Sequence, residues 1–281
     1  MHTTNPIPNN GPLVVKLGGA AIDDAPACAA LWDALASMHA AQPGSLVLVH
    51  GGGAAVDRRL ARLGLVSERI EGIRVTTPEI LDEVVATLAG STSAQVVGQL
   101  QRRGVPAVGT TLAAGFFARA AKTTRYPFDI GRVGDVGGGS PGVALALLAA
   151  GCMPVFSSIA LDSDGVPLNI NADEAAAGAA AILRARALVM LTDVEGVCDG
   201  AGALIPELTP ADIDARIASG EITGGMIPKV RSAMQAATVS GAPCVIASWK
   251  RPGALRAIGA GQRVGTWLTP GAPAPLTEAT P

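Results

Sequence analysis

The sequence predicts an α/β fold, an open and mostly parallel sheet sandwiched by helices. Three observations carry that expectation. Six short apolar runs are rich in Val, Ile and Leu and do not alternate with polar residues, the pattern of strands covered on both faces. Helical periodicities lie between many of them, and such alternation builds a layered sandwich. The chain has 281 residues, 49% of them apolar, which is enough for a sizeable core and excludes disorder as the main state.

The elements follow in chain order. Leu13–Leu17 and Leu46–His50 are the first two expected strands. From Ala54 to Leu63, the residues Val56, Leu60 and Leu63 fall on one helical face, and Gly64 can end the helix. Thr77-Pro78 reads as an N-cap followed by Pro at the first helical position. The helix it opens is expected to reach Arg103 and stop at Gly104, ahead of a third strand at Val105–Gly109. Residues 136–161 carry no charge, as a membrane span would. Gly137-Gly138-Gly139-Ser140-Pro141-Gly142 and Gly151-Cys152-Met153-Pro154 break that stretch into a loop, a short helix and a buried strand, Pro154–Ile159. Ala175–Ala181 is good helix former. Ala187–Thr192 and Pro243–Ser248 complete the six runs. Between them, Thr209-Pro210-Ala211-Asp212 has capping-box spacing, and Pro228–Ser240 is a helix stopped by Gly241. The stretches 1–12 and 270–281 read as a flexible start and a frayed tail, and the start lacks the features of a signal peptide.

Composition narrows the function. Lys and Arg number 21 against 23 Asp and Glu, and only 3% of residues are aromatic. That argues against nucleic acid, which calls for a basic face and stacking platforms. The cysteines at 28, 152, 198 and 244 have no metal-ligand spacing, so no metal site is expected. They read as reduced thiols of a cytoplasmic protein.

The chemistry concentrates where expected strands end. The first ends in Lys16-Leu17-Gly18-Gly19 and the second in His50-Gly51-Gly52-Gly53, with a helix following at once. Ligands of open α/β sheets sit beyond the carboxyl ends of strands. Glycines there let N–H groups approach an anion, and a helix N-terminus adds partial positive charge. A lone Gly-Gly is equally a plain turn; two such corners, one beginning with Lys, place a phosphate-sized anion. Neither matches a Walker or a Rossmann motif. Asn169-Ile170-Asn171-Ala172-Asp173-Glu174 then enters the Ala-rich helix, either as a capping turn or as a polar clamp on a substrate or on lysines. Gly224-Gly225-Met226-Ile227-Pro228-Lys229 runs another glycine pair into a helix. A lysine in a first helical turn is unfavourable unless an anion docks there.

These segments give the chain a resemblance to the amino-acid kinase family, and within it to the acetylglutamate kinases. It is carried by Lys16–Gly19, His50–Gly53, Gly72-Ile73-Arg74-Val75-Thr76, Ser157–Ile159, Asn169–Asp173, Leu191–Val197, Ile222–Lys229 and Ile246–Trp249, in the family's order from residue 13 to 268. The resemblance implies ATP-dependent phosphorylation of the side-chain carboxylate of N-acetyl-L-glutamate, with Mg²⁺ accompanying ATP. By position, Lys16 and Lys229 would hold the transferring phosphoryl group and Asp173 would orient both. Gly18, Gly19, Gly51 and Gly52 would supply backbone donors. Arg74 would grip the α-carboxylate and Asn169 the other polar end, while Thr192, Asp193 and Val197 would line the nucleotide pocket. It also implies two lobes, a substrate and dimerisation lobe over 13–180 and an ATP lobe over 181–269. One departure stands out: many members read Ser-Gly-x-Asp-Gly after Val108-Gly109, where this chain has Thr110-Thr111-Leu112-Ala113-Ala114-Gly115-Phe116-Phe117.

Two rivals remain open to the sequence. One is a kinase of the same fold acting on another acidic amino acid or a carrier-bound aminoadipate. The other is a non-catalytic regulatory module, against which both lysines and Asp173 argue. Arginine-inhibited members have an extra N-terminal helix. Pro6, Pro8 and Pro12 oppose one here at about 3 kcal/mol per interior proline. The stretch Gly261–Trp267 also resembles the arginine-insensitive type. A homodimer without arginine feedback is therefore the expectation.

Overall fold

The apolar runs become the middle of one large sheet in the computed structural model, which describes residues 11–23 and 28–270. What was expected of the first ten residues and of the tail from 271 lies outside the described residues. The chain runs β1 (Leu13–Leu17), α1 (Gly19–Asp23), α2 (Ala29–Ala41), β2 (Leu46–His50), α3 (Gly53–Arg62), β3 (Arg69–Ile70), β4 (Ile73–Arg74) and α4 (Pro78–Val85). A π-helical turn (Ala86–Thr92) leads into α5 (Ser93–Gln101), then β5 (Ala107–Thr111), β6 (Arg119–Lys122), β7 (Val133–Gly138), α6 (Gly142–Ala149), β8 (Met153–Ser157), β9 (Ile159–Leu161) and β10 (Pro167–Ile170). It continues through α7 (Ala172–Ile182), β11 (Ala187–Thr192), β12 (Glu207–Leu208), α8 (Pro210–Ala218), α9 (Met226–Ser240), β13 (Cys244–Ser248), α10 (Pro252–Gly259) and β14 (Thr266–Leu268).

Eight strands form the main sheet in the order β12-β14-β13-β11-β1-β2-β8-β5. Every neighbouring pair is parallel except β13 and β14. Strands after residue 187 occupy one half and strands before residue 158 the other, and they meet where β11 pairs with β1.

Side chains alternate across a strand, so β1 divides its residues between two cores. Val14 joins Leu188, Met190 and Ala-rich α7 on one face. Leu13, Val15 and Leu17 join Trp32, Leu35 and Leu255 on the other. Lys16 shares the parity of Val14 and therefore emerges on the α7 side, at the carboxyl end of the sheet. That placement follows from the period of the strand alone.

Several boundaries differ from expectation. The third strand begins at Ala107, because Pro106 has no N–H to give to the ladder. The run at 154–159 splits after Ser157: β8 stays in the main sheet, and Ile159 enters a second sheet ordered β6-β7-β10-β9. The helix expected from Thr77 to Arg103 is interrupted by the π-turn, where the Thr87 and Ser91 hydroxyls bond carbonyls four residues back. Thr77 occupies the N-cap position without a side-chain cap bond. Thr209 and Asp212 do form the reciprocal capping box. Within residues 136–161 the only α-helix is α6, of eight residues; no described helix is long and apolar enough to cross a membrane.

Candidate active site

Lys16 and Asp173 meet first. The Lys16 ammonium lies 2.8 Å from Asp173 Oδ1, with the two side chains 17% and 31% exposed. Asn171 caps α7, its Oδ1 accepting from the backbone N–H of Asp173 at 2.8 Å and also from that of Glu174. With Asn171 as the cap, the Asp173 carboxylate is free to face Lys16 from the first turn. The dipole at that helix end favours a carboxylate there.

Lys229, also expected on Asp173, instead donates to Asp193 Oδ1 at 2.8 Å. Ser232 takes the second oxygen of Asp173 instead. Helix α9 opens at Met226 rather than Pro228, and one turn beyond Lys229 the Ser232 hydroxyl donates to Asp173 Oδ2 at 3.0 Å. Asp193 immediately follows β11 and reaches Lys229 from the strand end. The Lys229 hydrogen bond is the chief reason the Asp193 carboxyl sits below its ordinary pKa. Asp173, Lys229 and Ser232 line one open cleft of about 590 Å³.

The glycine corners sit beside this array. Gly18 follows β1, and a Cβ on it would lie 3.8 Å from Lys16 Nζ; Gly19 opens α1. A Cβ on Gly51 would stand 2.9 Å from Ala172 Cβ, and one on Gly52 would stand 2.9 Å from Leu88 Cδ2 and 3.2 Å from Thr92 Cγ2. Both glycines are therefore required by close approach, Gly51 by α7 and Gly52 by the π-turn. His50 is fully buried, and its Nδ1–H donates to Gly51 O at 2.9 Å. Burial pushes its pKa down, so it supports the corner as a neutral ring.

Gly51, Gly52, Arg74 and Asn169 line one pocket of about 160 Å³, together with Arg69 and Ser158. Its lining includes two arginines and the start of α3, a composition that suits an anion, with Asp57 just outside the lining paired to both arginines. Arg74 is 5% exposed, and it donates to Asp57 Oδ1 at 2.6 Å, to Gly53 O at 3.0 Å and to Ser67 Oγ. Burial opposes the charge on Asp57, but Arg74 and Arg69 together hold its pKa below the ordinary value. Asn169 donates to Thr76 Oγ1 at 2.9 Å. Asn171, Gly72 and Ile73 line both this pocket and the Asp173 cleft, so the two are adjacent.

A third cavity, of about 700 Å³, opens beyond β11 and is lined by Asp193, Val194, Glu195, Gly196, Met226 and others. Thr192 turns back, its Oγ1 donating to Val194 O at 3.1 Å. Val197 is fully buried and gives its N–H to Thr266 Oγ1 at 2.8 Å. It packs in the core behind this cavity. In the departing segment, Leu112 and Phe117 are fully buried, and Phe117 stacks on Phe156 with ring centroids 4.2 Å apart.

Sequence reading missed Asp57 and Ser232, and it named Ser158 only within the matching stretch Ser157–Ile159. The signal available for Asp57 was its place one turn into the helix after His50–Gly53; Ser232 carries none.

Comparison with known proteins shows the family. Residues 11–248 match the model of the amino acid kinase family. A relative from Aeromonas salmonicida named acetylglutamate kinase is 42% identical over 257 residues, covering 92% of this chain and 98% of its own. A relative of the same name from Vibrio cholerae is 40% identical, covering 92% and 97%. Among solved structures, smu.665 from Streptococcus mutans superposes with a TM-score of 0.72 at 26% identity, covering 92% of this chain and 98% of that one. An N-acetylglutamate synthase from Neisseria gonorrhoeae, in complex with coenzyme A and N-acetyl-glutamate, gives 0.77 at 22% identity, covering 94% of this chain and 60% of that one. The carbamate kinase of Giardia lamblia bound to AMP-PNP gives 0.64 at 18% identity, covering 94% and 99%. At the last two identities the likeness is one of fold.

Proposed function

Because the chain belongs to the amino acid kinase family, we propose that it phosphorylates the side-chain carboxylate of N-acetyl-L-glutamate with ATP. The product is N-acetyl-L-glutamyl 5-phosphate, in arginine biosynthesis. The full-length relatives near 40% identity bear the name of that activity. The observation that carries the reading is the pocket of Arg74, Asn169, Gly51 and Gly52 adjoining the cleft of Asp173, whose carboxylate pairs with Lys16.

The acceptor carboxylate is ionised at neutral pH, with a pKa of about 4.3, so no general base is required. One of its oxygens attacks the γ-phosphorus as the bond to the ADP oxygen breaks. Such a transfer needs alignment and positive charge around the moving group. Lys16 and Lys229 supply charge, with Gly18 and Gly19 beside Lys16, and Asp173 keeps Lys16 aimed. Arg74 takes the α-carboxylate with its planar fork, and Asn169 takes the acyl amide. The nucleotide lies in the cavity along Asp193. Thr192 supports that wall and Val197 packs behind it. The described residues hold no group of three metal-ligating side chains. Mg²⁺, which prefers phosphate oxygens and water, would come with ATP and would neutralise charge on its phosphates.

Arg74→Lys is expected to raise KM for N-acetylglutamate about tenfold and to leave KM for ATP unchanged, since Lys keeps the charge and loses the fork. An equal loss of ATP affinity would place Arg74 at the nucleotide. A coupled assay for ADP release tests the reading as a whole: N-acetylglutamate is turned over, while glutamate and aspartate, which bring an ammonium where the site meets an amide, are poor substrates. Equal turnover of glutamate would refute the assignment.

The finer organisation is two lobes, over 13–180 and 181–269, in a cytoplasmic homodimer. The two halves of the sheet support the first, and the free thiols of all four cysteines support a reducing compartment. The dimer rests on the family resemblance, and light scattering at the mass of one chain would exclude it.

A further inference from the structure

Serine is an indifferent choice for the interior of a helix, where Ala is better. The hydroxyls of α9 show two ways of using it. Thr238 donates back to Met234 O at 3.0 Å, and Ser240 to Ala237 O at 3.3 Å, both within their own helix or its last turn. Ser232 instead donates across the interface to Asp173 Oδ2 at 3.0 Å, while Oδ1 faces the Lys16 ammonium at 2.8 Å. The carboxylate is therefore held from two elements, by a cation on β1 and by a neutral donor on α9. Lys229, on the same face of α9 one turn earlier, is left to Asp193 at 2.8 Å.

We propose that Ser232 is a positioning residue for phosphoryl transfer: by holding Asp173 Oδ2 it fixes the plane of the carboxylate, so that Oδ1 aims Lys16 and Lys229 stays apart to meet the phosphate. The inference rests on the function proposed above. A carboxylate held by one lysine alone can rotate about its χ2, a soft torsion for Asp, and would carry the ammonium with it. A second donor on the other oxygen removes that freedom. Ser232 touches no reacting atom in this account; it acts through Asp173.

The test compares Ser232→Ala, Ser232→Thr and the same Ala change in an Asp173→Asn background. A hydrogen bond to a charged group that is partly open to solvent corresponds to about a tenfold effect. The expected result is that Ser232→Ala lowers kcat about tenfold with both KM values unchanged, and that Ser232→Thr, which keeps the hydroxyl, restores it. With Asp173 already neutralised, Ser232→Ala adds almost nothing, because the pair is coupled. In the free protein the ¹³C carboxyl resonance of Asp173, identified by its loss in Asp173→Asn, shifts on Ser232→Ala and returns with Thr. Unchanged kcat, or a full additional loss in the Asp173→Asn background, would overturn the proposal. A parent chain that turns over no N-acetylglutamate would instead defeat the functional reading. The carboxyl resonance would then decide by itself: no shift on Ser232→Ala refutes the hold on Asp173.

Discussion

Lys16→Ala and Lys229→Ala are each expected to lower kcat by about 10²-fold or more, with KM for N-acetylglutamate close to the parent value. The scale is that of one preorganised donor aimed at charge developing in the transition state, about 2.7 kcal/mol. An interaction made chiefly in the transition state appears in kcat rather than in KM. The geometry ranks the two variants. Lys16 is 17% exposed and Lys229 is 36% exposed. Removing Lys16 also leaves the Asp173 carboxylate uncompensated, facing the phosphates. Lys16→Ala is therefore the more damaging change. Steady-state kinetics with both substrates varied reads the split. A Lys16 variant with near-parental kcat would remove it from the transfer step.

Asp173→Asn is the second large effect. The side chain keeps its size and can keep the Ser232 contact, but it loses the charge that holds Lys16. The expected loss is again about 10²-fold in kcat, since a misdirected ammonium forfeits most of the benefit of a preorganised donor. Stability should scarcely change. The pair is partly exposed, and such ion pairs contribute about 0–1 kcal/mol. A thermal melt alongside the kinetics separates the two. A large fall in Tm with kcat retained in the folded fraction would make Asp173 a structural residue.

How far the sequence foretold this arrangement depends on the range of the interactions. Lys16 could be placed because it ends a short apolar strand just ahead of Gly18-Gly19, and the period of two then sets it on the same face as Val14. Gly18, Gly51 and Gly52 could be placed because they end such strands, and Asp173 because an Ala-rich helix had to begin nearby. Ser232 could not, since its partner lies 59 residues away on another helix and nothing local marks it. The π-turn was equally hidden: its residues read as ordinary helix, and only the approach of Leu88 and Thr92 to Gly52 shows what the turn positions. The second sheet escaped because β7 is glycine-rich and β10 is short, with none of the apolar character of the main-sheet strands. The burial of Val197 was hidden for a related reason. Position within a motif located the strand end, but tertiary packing turned that side chain into the core.

The central claim is that the transferred phosphoryl group lands on the side-chain carboxylate of N-acetyl-L-glutamate. Hydroxylamine converts an acyl phosphate into a hydroxamate at the carbonyl that carried it, and mass spectrometry with fragmentation locates that carbonyl. With ATP, Mg²⁺ and N-acetylglutamate, the account predicts the side-chain hydroxamate, formed in step with ADP. ADP released without any hydroxamate, or a hydroxamate at the α-carboxyl, would contradict it.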